Sequence, residues 1–440
     1  MNRACFTQNT NLSRALGASC IRPIKNNFVR MKPYLLLFFM GLILSIKVYS
    51  QQFEESKLTG TSDSLKVKVG ADFAIQFQAI RHHADSTLIP LGSALNLPTA
   101  NLNINGYLAR GVKVNLEVYL SSRHHTDTWV KGGYILFDQL PFLNSALIDK
   151  VMNHLTIKIG VTDVNYGDEH FRRSDNGKVI TNPFVGNYIM DAFTTAPVLE
   201  IMYRNNGWLV MGGLTSGNLD PIVAGYNATS KQYTAFNITD ELAYYGKAGI
   251  DKQITDALRI RLTLSGYFNP RNNHNGSLYF GDRAGSRYYL VMNKETNNAT
   301  DVDPSVNHLS GNWGPGFTNK DNSIMTNLLV KLKGLEIFGT YENATGTPFF
   351  GNADFNYSQY AAEGLYHFGK SQQFYGGARY GYVKNNTSSS VNRTQIALGW
   401  YMTKNIVAKA EYVNQNYKNF ALYGNNAGFK GVVVEAGISF

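Results

Sequence analysis

The chain has almost no cysteine: Cys5 and Cys20 are its two, and both lie near the start. From Ile21 to Phe440 no disulfide, thiolate metal site or cysteine nucleophile can form. Charge is also scarce, 16% of residues against roughly 25% in soluble domains. Proline occurs 12 times in 440 residues, and no run of 18 or more apolar residues exists. The last absence excludes a bundle of membrane-spanning helices. H-E-x-x-H, G-x-S-x-G and a Gly-rich phosphate loop are missing as well, so the chain reads as a non-enzyme with no cofactor.

Aromatic residues and glycine are abundant, with 27 Tyr, 25 Phe and 41 Gly. Such a composition argues against both disorder and a coiled coil. The net charge of +10 misleads. Arg3, Arg14, Arg22, Lys25, Arg30, Lys32 and Lys47 all fall in the first 50 residues, which hold no acid. The remaining chain has 34 basic and 31 acidic residues, a balance that points to no nucleic-acid partner.

Those first 50 residues read as a leader. A basic patch at Arg30–Lys32 precedes an apolar stretch, Tyr34–Ile46, and then Val48-Tyr49-Ser50. This is the layout of a secretory signal peptide. Translation is expected to begin at Met31 and cleavage to fall near Ser50. Residues 51–63 then form a short linker and 64–440 the working domain.

That domain alternates with period two. Leu65, Val67, Val69, Ala71, Phe73, Ile75, Phe77 and Ala79 are apolar, and mostly polar residues stand between them. The segments 112–120, 258–265 and 432–440 repeat the pattern. A strand sends successive side chains to opposite faces, so each segment has one greasy and one polar side. Short connections such as Ala109-Arg110-Gly111 and Lys333-Gly334 alternate with long polar ones such as 82–99 and 294–321. The predicted fold is all-β: a transmembrane antiparallel barrel of about 16 strands, with 18 the alternative, short periplasmic turns and long extracellular loops. Tyr244-Tyr245, Tyr267-Phe268, Tyr288-Tyr289, Tyr366 with Phe368, Tyr380 with Tyr382, and Trp400-Tyr401 read as interfacial girdles. The chain ends on Phe440 within an alternating strand, as a barrel closed on its first strand requires.

Several phrases then resemble the phosphate-selective porin O and P family of Gram-negative outer membranes. They are Ile157–Gly160 followed by Val161–Glu169, then Phe374–Val383, then Ala397–Tyr412, then the terminal Val434–Phe440. The resemblance implies a 16-stranded barrel, assembled as a homotrimer in outer-membrane lipid, that conducts small solutes. It also implies that Phe440 is the assembly signal read by the barrel-assembly machinery. Members that select phosphate carry stacked arginines and a lysine ladder. No matching Arg-rich run is present, and phosphate selectivity does not carry over.

On the polar strand faces the basic candidates for lining a pore are Lys66, Lys68, Lys113, Arg259, Arg261, Lys331, Lys333, Arg379 and Lys409. Asp72, Glu117, Glu336, Glu342, Glu363, Glu411 and Glu435 oppose them. A mixed wall holds water without a strong single-sign field, so small anions or neutral solutes are expected to pass with at most a weak anion preference. The segment 162–195 lacks alternation and holds Asp168, Glu169, His170, Arg172, Arg173 and Asp175, a candidate constriction. Finally, Arg81–Ser86 and Arg123–Thr128 share R-H-H-x-D-S/T. His82, His83, Asp85, His124, His125 and Asp127 are the candidate ligands of a divalent ion such as zinc; the alternative is an ordinary polar rim. The functional expectation is passive diffusion of small hydrophilic solutes or ions through an outer-membrane porin. The alternative is a surface adhesin or an outer-membrane enzyme built on the same barrel.

Overall fold

The computed structural model describes residues 51–58, 65–120, 128–174, 179–217, 225–227, 229–234, 242–270, 278–279, 285–304, 306–317, 320–348 and 353–440. The leader, with Met31 and the Ser50 cleavage position, lies outside them, as do His124, His125, Asp127 and Asp175.

The strands are β1 (Lys66–His83), β2 (Ala94–Ala109), β3 (Val112–Leu120), β4 (Thr128–Phe137), β5 (Leu155–Asp163), β6 (Thr195–Asn205), β7 (Trp208–Thr215), β8 (Gly225–Asn227), β9 (Gln232–Thr234), β10 (Ala243–Thr255), β11 (Leu258–Asn269), β12 (Lys320–Leu332), β13 (Leu335–Thr347), β14 (Phe355–Phe368), β15 (Phe374–Asn385), β16 (Ser390–Thr403), β17 (Ile406–Lys418) and β18 (Ala427–Ser439). β8 and β9 pair only with each other, between β7 and β10. The other 16 close into one antiparallel barrel, which settles the strand count at 16. The closure is β1 against β18, in register from Asp72↔Ser439 to His83↔Gly428. Ala71 and Phe440 exchange both backbone hydrogen bonds, at 2.9 and 3.0 Å. The terminal aromatic residue thus sits on the seam, and no free edge is left there.

Side chains separate as the alternation requires. On β11, Leu262 and Leu264 are exposed on the outside, whereas Arg261, Thr263 and Ser265 are each 1% exposed inside. Phe368, Phe374 and Trp400 form an outward ladder, with successive ring centroids 5.7 and 5.8 Å apart. Tyr244, Phe268, Tyr366 and Tyr380 also face out. Other residues read as girdle point inward. Tyr245, Tyr267 and Tyr401 are buried, because the two members of an adjacent pair must take opposite faces. Tyr288 belongs to no strand and is wholly buried.

One end of the barrel has tight turns. At Asn206-Gly207 both residues have positive φ, 48° and 80°, the geometry that a two-residue hairpin favours. One connection at this end is longer than the sequence reading expects. Residues 138–154 contain a 3-10 turn at Pro141–Leu143 and a helix, α1 (Ala146–Met152). Pro141 has no backbone donor to continue a ladder, and it opens that turn instead. At the opposite end, 384–391 is a tight connection, since Lys384 still pairs with Ser390.

The interior is packed. Val164, Tyr166, Val185, Ile189 and Met190 from the β5–β6 loop meet Tyr288, Val291 and Phe317 from the β11–β12 loop. Both sets rest on inward residues of the barrel wall, among them Tyr245, Tyr267, Val383, Val413 and Val433. The first described residues also enter the barrel: Gln51 and Phe53 are buried.

A charge on the outer face of β11 meets hydrocarbon. Leu264→Arg should destabilise the folded barrel by about 2–4 kcal/mol if it lies at the midplane, and less toward either rim. Reversible denaturant unfolding in lipid vesicles measures this, and an unchanged midpoint would place β11 out of lipid.

Candidate functional site

The β5–β6 loop positions the cluster singled out in the sequence. Val164–Arg173 turns into the lumen, with a 3-10 turn at Glu169–Arg172. The Asp168 carboxylate accepts from Arg261 Nε and Nη2 at 2.8 and 2.9 Å, from Lys247 Nζ at 3.1 Å and from Thr263 Oγ1 at 2.8 Å. Its backbone N–H donates to Asn327 Oδ1 at 2.8 Å. Burial opposes the charge, but Lys247 and Arg261 outweigh it and hold this carboxyl well below its usual range.

Glu169 has the opposite surroundings. Gln359 Nε2 lies 3.3 Å from Glu169 Oε2 and 3.2 Å from Glu342 Oε2, so one amide faces two buried carboxyls. Burial, with Glu342 close by, pushes the Glu169 carboxyl well above its ordinary value. His170 Nδ1 lies 3.2 Å from the Tyr166 carbonyl, and its ring lies tilted against Phe171, 3.9 Å between centroids.

The arginines are paired, and their partners differ from those that proximity in sequence suggests. Arg172 bridges Glu336 and Glu363 of the wall at 2.8 and 2.7 Å. Arg173 holds Asp191 of the same loop at 2.8 Å, and its guanidinium lies 4.2 Å from the Phe193 ring centre. Further along, Val185 N–H donates to Glu411 at 2.8 Å, and the Gly186 carbonyl accepts from Arg379 at 2.9 Å. The β11–β12 loop is pinned similarly. Arg287 pairs with Glu435, and Gln78 exchanges two hydrogen bonds with the backbone of Tyr289.

Of the wall residues expected to line a pore, Lys113, Arg259, Arg261, Lys331, Arg379 and Lys409 face inward. All six are ion-paired, to Glu55, Asp251, Asp168, Glu336, Glu363 and Glu435 respectively. Lys66 and Lys68 are exposed at the start of β1, near the turn end of the barrel. Lys333 does not line the wall. It sits on the β12–β13 turn with φ 53° and is exposed, because a two-residue hairpin projects its tip out of the barrel.

Of the rim histidines, His82 and His83 lie among the described residues, and they do not converge. His82 Nε2 donates to the Ile89 carbonyl at 2.7 Å, and Nδ1 accepts from Met292 N–H at 2.9 Å, so both ring nitrogens serve backbone groups. His83, next in the strand, points the other way, and Asp85 caps Asn425 N–H at 2.8 Å. Among the described residues no group of three or more such side chains is placed to hold a metal ion.

Among the openings that the packing leaves is a polar cavity of about 260 Å³ against β2–β6. Its lining includes Lys113, Lys158 and Arg204 and the acids Glu54, Glu55, Glu117, Asp163 and Glu200. Sequence reading overlooked Lys158, Arg204 and Glu200. Each sits at an inward position of an alternating strand, so the signal was available in L-T-I-K-I-G and V-L-E-I-M-Y-R. Glu54 and Glu55 carried no such signal, because they lie in no strand.

No family model matches this chain, and no curated protein matches it in sequence. Solved structures do resemble it. An anion-selective porin from Comamonas acidovorans superposes with a TM-score of 0.52, at 10% identity, over 86% of this chain and 100% of its own. The outer membrane channel DcaP of Acinetobacter baumannii gives 0.50 at 10% identity, over 88% of this chain and 100% of its own. The fold is that of outer-membrane porins. At this identity the likeness is one of architecture.

The two neighbouring carboxyls make the loop sensitive to pH in opposite directions. Asp168, held low, contributes stability above its ordinary 3.8 that is lost as pH falls. Glu169, held high, contributes stability that is complete below its ordinary 4.5 and is lost as pH rises through its raised value. Thermal unfolding in detergent should therefore show a loss on the alkaline side that Glu169→Gln flattens. An alkaline limb unchanged by that substitution would remove Glu169 as its source.

Proposed function

We propose that the protein is an outer-membrane porin that admits small hydrophilic solutes by passive diffusion, along the β2–β6 wall. The observation that carries this reading is the cavity there. A closed barrel has a lumen to fill, and here two inward loops pack against β6, β7, β10–β18 and β1 while a polar space persists against β2–β6. The lining is largely polar and charged, unlike the apolar core beside it. At about 260 Å³ it holds several waters, each of which occupies roughly 30 Å³ in the liquid. The likeness to an anion-selective porin and to an outer membrane channel supports the same class.

Selectivity follows from this lining rather than from the whole wall. Most of the basic wall residues named from the sequence are neutralised by adjacent acids, and a paired charge presents little field to a passing ion. The lining keeps both signs in view, which favours weak selectivity over a single-ion filter. The narrower resemblance to the phosphate-selective porins rests on the sequence phrases alone. Assembly as a homotrimer, export through a cleaved leader and recognition of Phe440 by the barrel-assembly machinery belong to the same proposal.

In planar bilayers the pure protein should give small, stepwise conductance, with a reversal potential close to zero in a salt gradient. Arg172→Ala combined with Arg173→Ala frees the β5–β6 loop from Glu336, Glu363 and Asp191 and should raise that conductance severalfold. Absence of both channel steps and liposome swelling with small sugars would end the porin reading in favour of an adhesin or enzyme.

A further inference from the structure

The segment Gln51–Leu58 sits in the barrel as a bound ligand does. Among the described residues no backbone–backbone hydrogen bond ties it to a strand. Side chains of the wall hold it instead. Arg261 grips the Glu54 carboxylate through both terminal nitrogens, at 2.6 and 2.9 Å. Glu55 receives Lys113 Nζ at 2.5 Å and the Tyr134 hydroxyl at 2.5 Å, with Lys158 at 3.9 Å. Burial opposes the charge on Glu55, but Lys158 and Lys113 outweigh it and hold the carboxyl below its usual range.

The backbone of the segment is read as well. Arg259 donates to the Gln51 carbonyl at 2.8 Å, and Arg204 donates to the Glu55 carbonyl at 2.6 Å. Phe53 is buried edge-on against Phe171, 5.6 Å between centroids, with the Arg261 guanidinium 4.1 Å from its ring centre. At the far end Asp138 accepts from Leu58 N–H at 2.8 Å. The holding groups come from β3, β4, β5, β6, β11, the β4–β5 connection and the β5–β6 loop, so the cup is built by the barrel. Carboxylates met by Arg and Lys, carbonyls met by Arg, and an aromatic ring under a guanidinium are together the chemistry of peptide recognition. A bare dicarboxylate would use only part of it.

We propose that this cup is a binding site for short acidic peptides with an aromatic residue preceding two acids, and that the chain's own Gln51–Leu58 is its resident occupant. The inference deepens the porin reading by naming a solute class for the β2–β6 passage. Displacing the segment removes Glu54 and Glu55 from the cavity lining. Lys113, Lys158 and Arg204 then face Glu117, Asp163 and Glu200, so the passage turns less favourable to cations and open to an anionic peptide.

The test uses the full chain carrying Phe53→Ala, Glu54→Gln and Glu55→Gln, which weakens the resident segment and leaves the wall intact. The probe is the acetylated, amidated octapeptide Gln-Gln-Phe-Glu-Glu-Ser-Lys-Leu, followed by titration calorimetry in detergent. Binding to the variant should be at least tenfold tighter than to the unaltered chain. A probe with both Glu replaced by Gln should bind at least tenfold more weakly, and adding Lys113→Gln and Arg204→Gln should abolish binding. Equal binding to variant and unaltered chain, equal binding of the Gln probe, or glutarate binding as tightly as the peptide would each overturn the proposal.

A second measurement avoids the triple variant. A nitroxide on Ser56→Cys, in a chain with Cys5→Ser and Cys20→Ser, should gain mobility when the acidic octapeptide is added and not when the Gln probe is. An immobile label at millimolar peptide counts against the site. Conductance measured beside these readouts separates the two readings: binding without channel steps sinks the porin assignment alone, and channel steps without binding sink the peptide site alone.

Discussion

Hydrocarbon offers no partner to a peptide group, and every other feature of this molecule is arranged around that fact. Sixteen strands satisfy one another in sequence, and the last satisfies the first through Ala71 and Phe440. Closure then imposes the alternation, since each strand must show lipid one face and the lumen the other. The low charge content follows too: outward positions are closed to charge, and acids and bases must share the inward half of each strand. The abundance of aromatics reflects both environments, from the stacked Phe368, Phe374 and Trp400 outside to the tyrosines that fill the interior.

A closed barrel creates a second difficulty, because a 16-stranded lumen is too wide for its own side chains to fill. Here the interior is filled by chain that belongs to no barrel strand. The packing is mainly apolar beside β10–β18, where Val383, Val413 and Val433 take inward positions that a water-filled pore would give to polar groups. Around it runs a set of buried ion pairs. Such pairs contribute little net stability, since desolvation offsets their attraction, but breaking one leaves a lone buried charge at a cost of about 3–5 kcal/mol. Their effect is to fix which arrangement of loops the barrel accepts. Arg172 fits only where Glu336 and Glu363 converge, and Asp168 only where Arg261, Lys247 and Thr263 do.

This division explains what was legible in the sequence. The barrel was, because alternation is local: Leu262, Leu264, Val432 and Val434 announce their face from their neighbours alone. The inward loop was also legible, as a long non-alternating run dense in charge. The partners of that loop were not. Arg172 is 164 residues from Glu336 and 191 from Glu363, and nothing local links them. The same limit misplaced Lys333, which continues the polar rhythm of β12 but falls on a turn, and Tyr288, which stands in an aromatic pair but not in a strand. For the first histidine pair, sequence shows ligand types without showing that His82 already serves two backbone groups.

The acidic segment at Glu54–Glu55 joins these points. It lies outside any alternating stretch, so sequence reading treats it as a linker, yet its partners Lys113 and Arg261 are residues that the alternation places inside. An inward cation in a lined barrel must meet an anion, a dipole or water. Most here meet a carboxylate from a neighbouring strand or from the β5–β6 loop, both fixed in place by the sheet. Lys113 meets one that arrives on a segment held by side chains alone. The wall charges at that spot are therefore complementary to something the barrel can release, which is the physical condition for a binding site rather than a structural pair.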